Sequence, residues 1–312
     1  MRVLITGAAG FIGFHLGLAL RRRGDEVVGC DLLTDYYDPT LKRMRAALLQ
    51  KAGAKFESAD IRYPYAMEKL SESCDVIVHL AAQAGVRYAK ENPQTYLDTN
   101  INGFLPILEV VRKRPSLPLI YASSSSVYGL NKKVPFAETD PTETPANLYA
   151  ATKKSNELMA YAYHHLFGIT AIGLRFFTVY GPWGRPDMAY YAFTEAIMNG
   201  TPIRLYNHGN MQRDFTYIDD IVEGVVAAID TAKGCEIFNL GNSKPEPITE
   251  LVRIIETHLG KKAKVELLPE EPGEVLVTYA DISKSAARLG FKPTIGLEEG
   301  MSRFLQWFKD KK

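Results

Sequence analysis

The feature that most restricts how this chain can fold is a glycine-rich turn set between a strand and a helix. Val3-Leu4-Ile5 runs into Gly7-Ala8-Ala9-Gly10-Phe11-Ile12-Gly13, and a helical pattern through Leu16, Leu18, Ala19 and Leu20 extends to about Arg23. Gly24 stops that helix, and Glu26-Val27-Val28-Gly29-Cys30-Asp31 reads as the next strand. The result is a compact βαβ start. Its glycine spacing is G-x-x-G-x-x-G, but the physics matches that of the commoner G-x-G-x-x-G. Glycines allow a tight turn and close backbone approach, and the helix N-terminus attracts a pyrophosphate. Gly7, Gly10, Phe11, Ile12 and Gly13 are therefore candidate cofactor contacts. Asp31, at the end of the second strand, can accept from both adenosine ribose hydroxyls and would repel a 2′-phosphate. Leu32, Leu33 and Thr34 follow it with no arginine to welcome that phosphate, so NAD is favoured over NADP.

The βα alternation continues. Strands are expected at 55–59, 75–80, 117–122 and 169–174, with helices over about 95–112 and 147–167. This predicts an α/β fold: a Rossmann-type doubly wound parallel sheet in residues 1–175. Residues 176–312 are less regular and predict a smaller mixed α/β lobe, intertwined with the first and closing over a substrate. Asp60-Ile61, after strand three, could hold an adenine, with Asp60 accepting from its amino group. Leu80, Ala81 and Ala82, after strand four, are small enough to let backbone approach a cofactor. His79 reads as a satisfied strand histidine, and Asn100 as a structural polar residue in its helix.

Bulk properties narrow the classes. The 37 basic and 36 acidic residues leave a net charge of +1, which gives no sign of nucleic-acid or membrane-surface binding. No apolar run reaches the ~18 residues needed to cross a bilayer. Cys30, Cys74 and Cys235 are far apart, without metal or disulfide spacing, so no metal site is expected and a reducing cytoplasm is the natural compartment. Because Met1 leads directly into a strand, no signal peptide is expected.

Two motifs carry the chemistry. In Tyr149-Ala150-Ala151-Thr152-Lys153, the lysine lies one helical turn from the tyrosine. Its charge is expected to lower the tyrosine pKa from about 10, making a proton acceptor for a sugar hydroxyl. Ser123-Ser124-Ser125-Ser126 closes strand five, facing the crevice where α/β ligands bind.

Together these pieces resemble the extended short-chain dehydrogenase/reductase superfamily of nucleotide-sugar epimerases and dehydratases. The resemblance covers essentially the whole chain, including Gly7-x-x-Gly10-x-x-Gly13, Asp31, Asp60-Ile61, His79-Leu80-Ala81-Ala82, Tyr149-x-x-x-Lys153 and Arg213-Asp214-Phe215. Further stretches resemble the UDP-glucuronate 4-epimerase branch. They are Asp35-Tyr36-Tyr37-Asp38 with Leu41-Lys42, Gln83-Ala84-Gly85-Val86-Arg87-Tyr88, Arg175-Phe176-Phe177-Thr178-Val179-Tyr180-Gly181 and Tyr279-Ala280-Asp281-Ile282-Ser283-Lys284. Glu274 stands where relatives commonly carry Asp, and no role is assigned there. Tyr36 and Tyr37 read equally as lid or packing residues.

The resemblance implies a catalytic trio of Tyr149, Lys153 and Ser124, working on NAD and a UDP-sugar by oxidation at C4 and return of hydride to the other face. Sugar dehydratases carry Asp-Glu at the positions of Ser125 and Ser126, and UDP-glucuronate decarboxylases carry Glu at the second. Hydroxyls here disfavour both. A 4-keto glucuronate is a β-keto acid prone to lose CO2, and hydrogen bonds from Ser125, Ser126 and Thr178 would hold its carboxylate charged and fixed. Gln83 joins the expected substrate contacts. Arg87 and Arg185 are candidate cations for the carboxylate or diphosphate, with a surface salt bridge as the competing reading for each. Arg213 is the expected phosphate ligand, because its planar fork suits phosphate, and the backbone at 203–205 the expected uracil site. A homodimer through helices 95–112 and 147–167 is implied as well. Alternatives are a UDP-glucose 4-epimerase, a UDP-glucuronate decarboxylase and a non-catalytic NAD-sensing protein.

Overall fold

The computed structural model describes residues 1–86, 88–270 and 275–311. Its main sheet has seven parallel strands: β1 (Arg2–Thr6), β2 (Glu26–Asp31), β3 (Lys55–Ser58), β4 (Val76–His79), β5 (Leu119–Ser124), β6 (Ala171–Phe176) and, from further along the chain, Cys235–Leu240. Their order is β3-β2-β1-β4-β5-β6 and then Cys235–Leu240 at the far edge. Val3, Leu4 and Ile5 are fully buried, as both faces of the sheet carry helices. Strand order reverses between β1 and β4, which opens a crevice at their carboxyl ends.

Helix α1 (Phe11–Arg23) buries Phe11, Phe14, Leu16 and Leu20 against the sheet and stops at Gly24, whose φ of 95° suits glycine. Helix α2 (Pro39–Lys51) starts with Pro39 at its first position, and Asp38 caps it by accepting from the Thr40 amide at 2.9 Å. The catalytic-motif helix spans Leu148–Phe167, capped by Asn147 on the Ala150 amide at 2.9 Å.

Three local expectations need correction. The fifth and sixth strands each begin and end two residues later than predicted, so that Ser123 and Ser124 lie inside the fifth and Arg175 inside the sixth. The helix expected over 95–112 is broken: Pro93–Tyr96 is α-helical, Leu97–Asn102 widens into a π-helix, and Phe104–Lys113 resumes the α form. The wide turn releases the Asn100 carbonyl to accept from Asn156 Nδ2 at 2.6 Å.

After β6, the chain forms β7 (Thr178–Tyr180), β8 (Pro202–Leu205) and β9 (Gln212–Tyr217). A small sheet groups β7, β9, Pro245–Pro247 and Val277–Thr278, while β8 pairs with Lys264–Leu267. The β5–β6 pairing ends at Ser124–Phe176. Ser125-Ser126 and Phe177-Thr178 thus leave the sheet next to each other, above the crevice.

Candidate active site

The crevice begins with the glycine turn. Gly7 has φ 72°, and a methyl group there would lie 2.7 Å from the Ala81 amide nitrogen. Only glycine lets the turn lie this close to the end of β4. No side chain caps α1, and its first turn holds no acid, so its N-terminus faces the crevice without an anion from the protein. Asp31 accepts from the Leu33 amide at 2.8 Å, and the Lys42 ammonium stands near it, donating to Thr34 Oγ1 at 2.8 Å. An uncapped helix end, a glycine turn and an acid at the end of β2 form a cradle that fits a dinucleotide with a free ribose 2′-hydroxyl. Lys42 is a cation near the acid that sequence reasoning left out of the cofactor set. Its partner Thr34 lies eight residues away, across the start of α2.

Asp60 accepts from the Arg62 amide at 2.9 Å and from the Arg62 guanidinium at 2.6–3.1 Å, which holds its carboxyl below the usual range against the cost of burial. The Ile61 side chain is buried in the core beneath Gly103. Leu80, Ala81 and Ala82 line the opposite wall, half-buried.

Tyr149 and Ser124 meet from helix and strand. Burial pushes the Tyr149 phenol above its usual pKa, and hydrogen bonding from Ser124 and the charge of Arg185 pull it back. The expected lowering by Lys153 is therefore overturned in the protein alone. Desolvation outweighs the favourable neighbours, and the cation acting on Tyr149 is Arg185, brought in from beyond β7. Lys153 itself is buried, with no hydrogen-bond partner among the described residues, and burial pushes its ammonium down to about 8. Glu157, one turn further on, opposes that shift only through its charge. Glu157 is instead committed to Arg175, at 2.8 Å to both Nε and Nη2, and to the Ser123 hydroxyl at 2.6 Å. This buried unit joins β5, β6 and the Tyr149 helix directly behind Ser124.

Asn100 has more than the structural part expected of it. Its side chain accepts from the Gln83 amide at 2.8 Å and donates to Gln83 O and Thr152 Oγ1, each at 3.0 Å. It fixes the Gln83 segment to the Leu148–Phe167 helix. His79 bonds Thr6 Oγ1 at 2.8 Å in the core, and burial holds its pKa down at about 3, so it is neutral. Among the described residues no group of three metal-ligating side chains occurs.

Arg185 pairs with Asp187 at 2.5–3.0 Å, and Asp187 in turn accepts from Tyr36 at 3.1 Å. This partly exposed ion pair acts on Tyr149 through the charge of Arg185. Ser125 and Ser126 open a short 3-10 turn in which Ser124 accepts from the Ser126 amide at 3.2 Å. Thr178 begins β7, and Arg213 lies in β9, donating to the carbonyls of Gln212 and Leu276 at 2.9 and 3.2 Å. Arg87 lies outside the described residues, as do 271–274. Tyr96, whose ring is 6.3 Å from that of Tyr149, was missed by sequence reasoning, as were Glu157, Arg175 and Asp187. Only the spacing of Glu157 from Lys153, four residues along one helix face, offered a signal.

Residues 3–241 match the NAD dependent epimerase/dehydratase family, and the chain belongs to that family. The chain is 50% identical to UDP-glucuronate 4-epimerase 4 of Arabidopsis thaliana, over 98% of this chain and 75% of the plant protein. It is 50% identical to an uncharacterised protein of Methanocaldococcus jannaschii, covering 99% and 97% of the two chains. Among solved structures, UDP-glucuronic acid 4-epimerase from Bacillus cereus, in complex with UDP-glucuronic acid and NAD, superimposes with a TM-score of 0.94 at 36% identity, over the full length of both chains. A UDP-glucose 4-epimerase from Thermotoga maritima superimposes with a TM-score of 0.90 at 29% identity, covering 100% and 99%.

Proposed function

We propose that the chain is an NAD-dependent isomerase that inverts C4 of UDP-glucuronate, giving UDP-galacturonate. The observation that carries this reading is the set of three hydroxyls, Ser125, Ser126 and Thr178, where the two chain segments leave the sheet above the Tyr149–Ser124 pair. NAD bound in the β1–α1 cradle would supply the hydride acceptor and donor at C4 and, through its ring charge, a further pull on the Tyr149 proton. Tyr149 takes the O4 proton and returns it to the inverted alcohol. Ser124 orients that hydroxyl by hydrogen bonding. Lys153, one turn along the same helix, completes the trio and, with Tyr149, contacts the cofactor. Ser125, Ser126 and Thr178 donate to the sugar carboxylate and keep it charged, so the β-keto acid retains its CO2. Gln83, Arg185 and Arg213 bind the remaining sugar and diphosphate oxygens. Gly7, Gly10, Phe11, Ile12, Gly13, Asp31, Asp60, Ile61, Leu80, Ala81 and Ala82 hold NAD. Residues 1–175 then form the cofactor domain and 176–312 mainly the substrate lobe, with the Cys235–Leu240 strand returning to the larger sheet.

The test is NMR of purified protein with UDP-glucuronate and no added cofactor. UDP-galacturonate should appear, and Tyr149→Phe should lower the rate about 10²–10⁴-fold while leaving bound NAD in place. Release of CO2 or a pentose product would overturn the role of the hydroxyls, and turnover of UDP-glucose alone would overturn the carboxylate pocket.

The family resemblance and a set of exposed apolar residues support a homodimer. Leu97 and Leu105, and Leu158 and Tyr161 on the Leu148–Phe167 helix, are each at least 41% exposed and would be covered in such a dimer. Light scattering should give twice the chain mass, and a monomer would refute it. Among the described residues no helix is long and apolar enough to cross a membrane, and Cys30, Cys74 and Cys235 are free thiols. The free thiols support a reducing cytoplasmic setting.

A further inference from the structure

The reaction described above leaves the segment from Asp35 to Arg45 unused, yet the structure builds it with care. Arg45 is completely buried, and among the described residues its guanidinium has no carboxylate partner. It is surrounded instead by oxygen dipoles. Nη1 donates to the Ala9 carbonyl at 3.0 Å and to the Tyr37 hydroxyl at 2.9 Å. Nη2 donates to the carbonyls of Trp183 at 2.5 Å and Gly184 at 2.9 Å. Ala9 belongs to the glycine turn, and Trp183 and Gly184 lead directly into Arg185. One side chain therefore spans the cofactor cradle and the turn that brings a cation to Tyr149.

That turn needs an external support. Trp183 has φ 58°, a left-handed conformation that a tryptophan adopts only when its surroundings hold it. Its carbonyl and the next point at the same guanidinium, which a lysine cannot reproduce as a bidentate fork. A second tie comes from the same segment: Tyr36 donates to Asp187, the ion-pair partner of Arg185. A methyl at Gly85 would collide with the Tyr36 hydroxyl, so the 84–86 loop is shaped to receive that ring.

We propose that Arg45 is a positioning residue that joins the Trp183–Arg185 turn to the glycine turn and so sets where the Arg185 guanidinium stands relative to Tyr149. This rests on the reading of Tyr149 as the proton acceptor. Tyr149 is faced by Ser124 from β5, by Tyr96 from the preceding helical segment and by Arg185 with Asp187 and Tyr36 behind it, and Lys153 lies one turn along its own helix. Of these groups, Arg185 is the cation whose charge lowers the cost of a phenolate, and Arg45 bonds the two carbonyls that lead into it. A displaced Arg185 raises the Tyr149 pKa, so the low-pH limb of the rate profile moves to higher pH.

The experiment has two arms on Arg45→Met and Arg45→Lys. Hydrogen exchange on the cofactor-free protein needs no substrate. Amides in 183–188 should exchange about tenfold faster in Arg45→Met, those of the main sheet should be unchanged, and Arg45→Lys should fall between. In the enzyme with NAD bound, the acid limb of kcat for UDP-glucuronate should move up by about one pH unit, as it should in Arg185→Met. Unchanged exchange at 183–188 overturns the proposal, and so does an acid limb that moves in Arg185→Met but not in Arg45→Met. Should Arg45→Met fail to fold, Arg45→Lys carries the same two readouts. If the parent chain does not turn over UDP-glucuronate, the reading of the reaction falls and the exchange arm alone decides the clasp.

Discussion

Two buried arginines, Arg45 and Arg175, are compensated in opposite ways. Arg175 forms a bidentate ion pair with Glu157 and lies over the Tyr128 ring, 4.7 Å from its centroid. Among the described residues, the hydrogen-bond partners of Arg45 are carbonyl and hydroxyl oxygens only. The first arrangement cancels charge and fixes geometry: Ser123 is tied to Glu157, so Ser124 cannot shift against the Tyr149 helix. The second satisfies hydrogen bonds but leaves a net positive charge behind a crevice made for an anionic dinucleotide. Burying an ion is tolerable in either case because every strong donor but Arg45 Nε finds an acceptor. What differs is the field each leaves in the site.

Removing one partner of the neutral pair should have the largest effect. Glu157→Leu strands the Arg175 charge in the core and is expected to cost about 3–5 kcal/mol in urea unfolding. The double change Glu157→Leu with Arg175→Met should restore much of that loss, since two matched apolar groups replace two charges. A double variant no more stable than the single one would mean that Glu157 matters through Ser123, not as a charge partner.

Lys153 sharpens the comparison as a buried cation with neither a carboxylate nor a carbonyl in bonding contact among the described residues. Its folded pKa of about 8 lies below the ordinary 10.5, so folding disfavours the charged form. The cost is fully present below about pH 8 and disappears as pH rises toward the unfolded value. Cofactor-free Lys153→Met should therefore be more stable than the parent at pH 7, by roughly 2–3 kcal/mol, with the gain shrinking as pH rises above 8. Equal stability across that window in thermal unfolding would show that solvent in the crevice already stabilises the ammonium.

The smallest effect belongs to an exposed arginine. Arg204 pairs with Glu266 at 3.1 Å on the surface, and both side chains are about half exposed or more. Arg204→Met should change stability by about 0–1 kcal/mol, and by less at high salt. A larger loss would mean that the parallel pairing of β8 with Lys264–Leu267 depends on this contact.

The same divide separates what was legible in the sequence from what was not. The glycine turn, Asp31, the Tyr149 helix and the serine run were readable because each is local: a turn needs its glycines, a strand its apolar run, and a helix brings residues four apart onto one face. The parallel sheet followed from the βα alternation for the same reason. The charge state of Tyr149 was misread because it depends on burial and on Arg185, whose sequence distance from the tyrosine gives no periodic signal. The π-helix at Leu97–Asn102 escaped as well, since it serves Asn156 and Gln83 across the fold rather than any pattern within its own segment.

The sequence by itself determined the class of fold, the cradle for a dinucleotide and the helix that carries Tyr149 and Lys153, because short-range sterics and hydrogen bonding act within a few residues. The tertiary structure alone decided which cation reaches Tyr149, that Glu157 is committed to Arg175 and not to Lys153, and that Arg45 joins Ala9 to Trp183. Those choices depend on Coulomb and desolvation energies between groups far apart in the chain, which take their values only once the low-dielectric interior has closed around them.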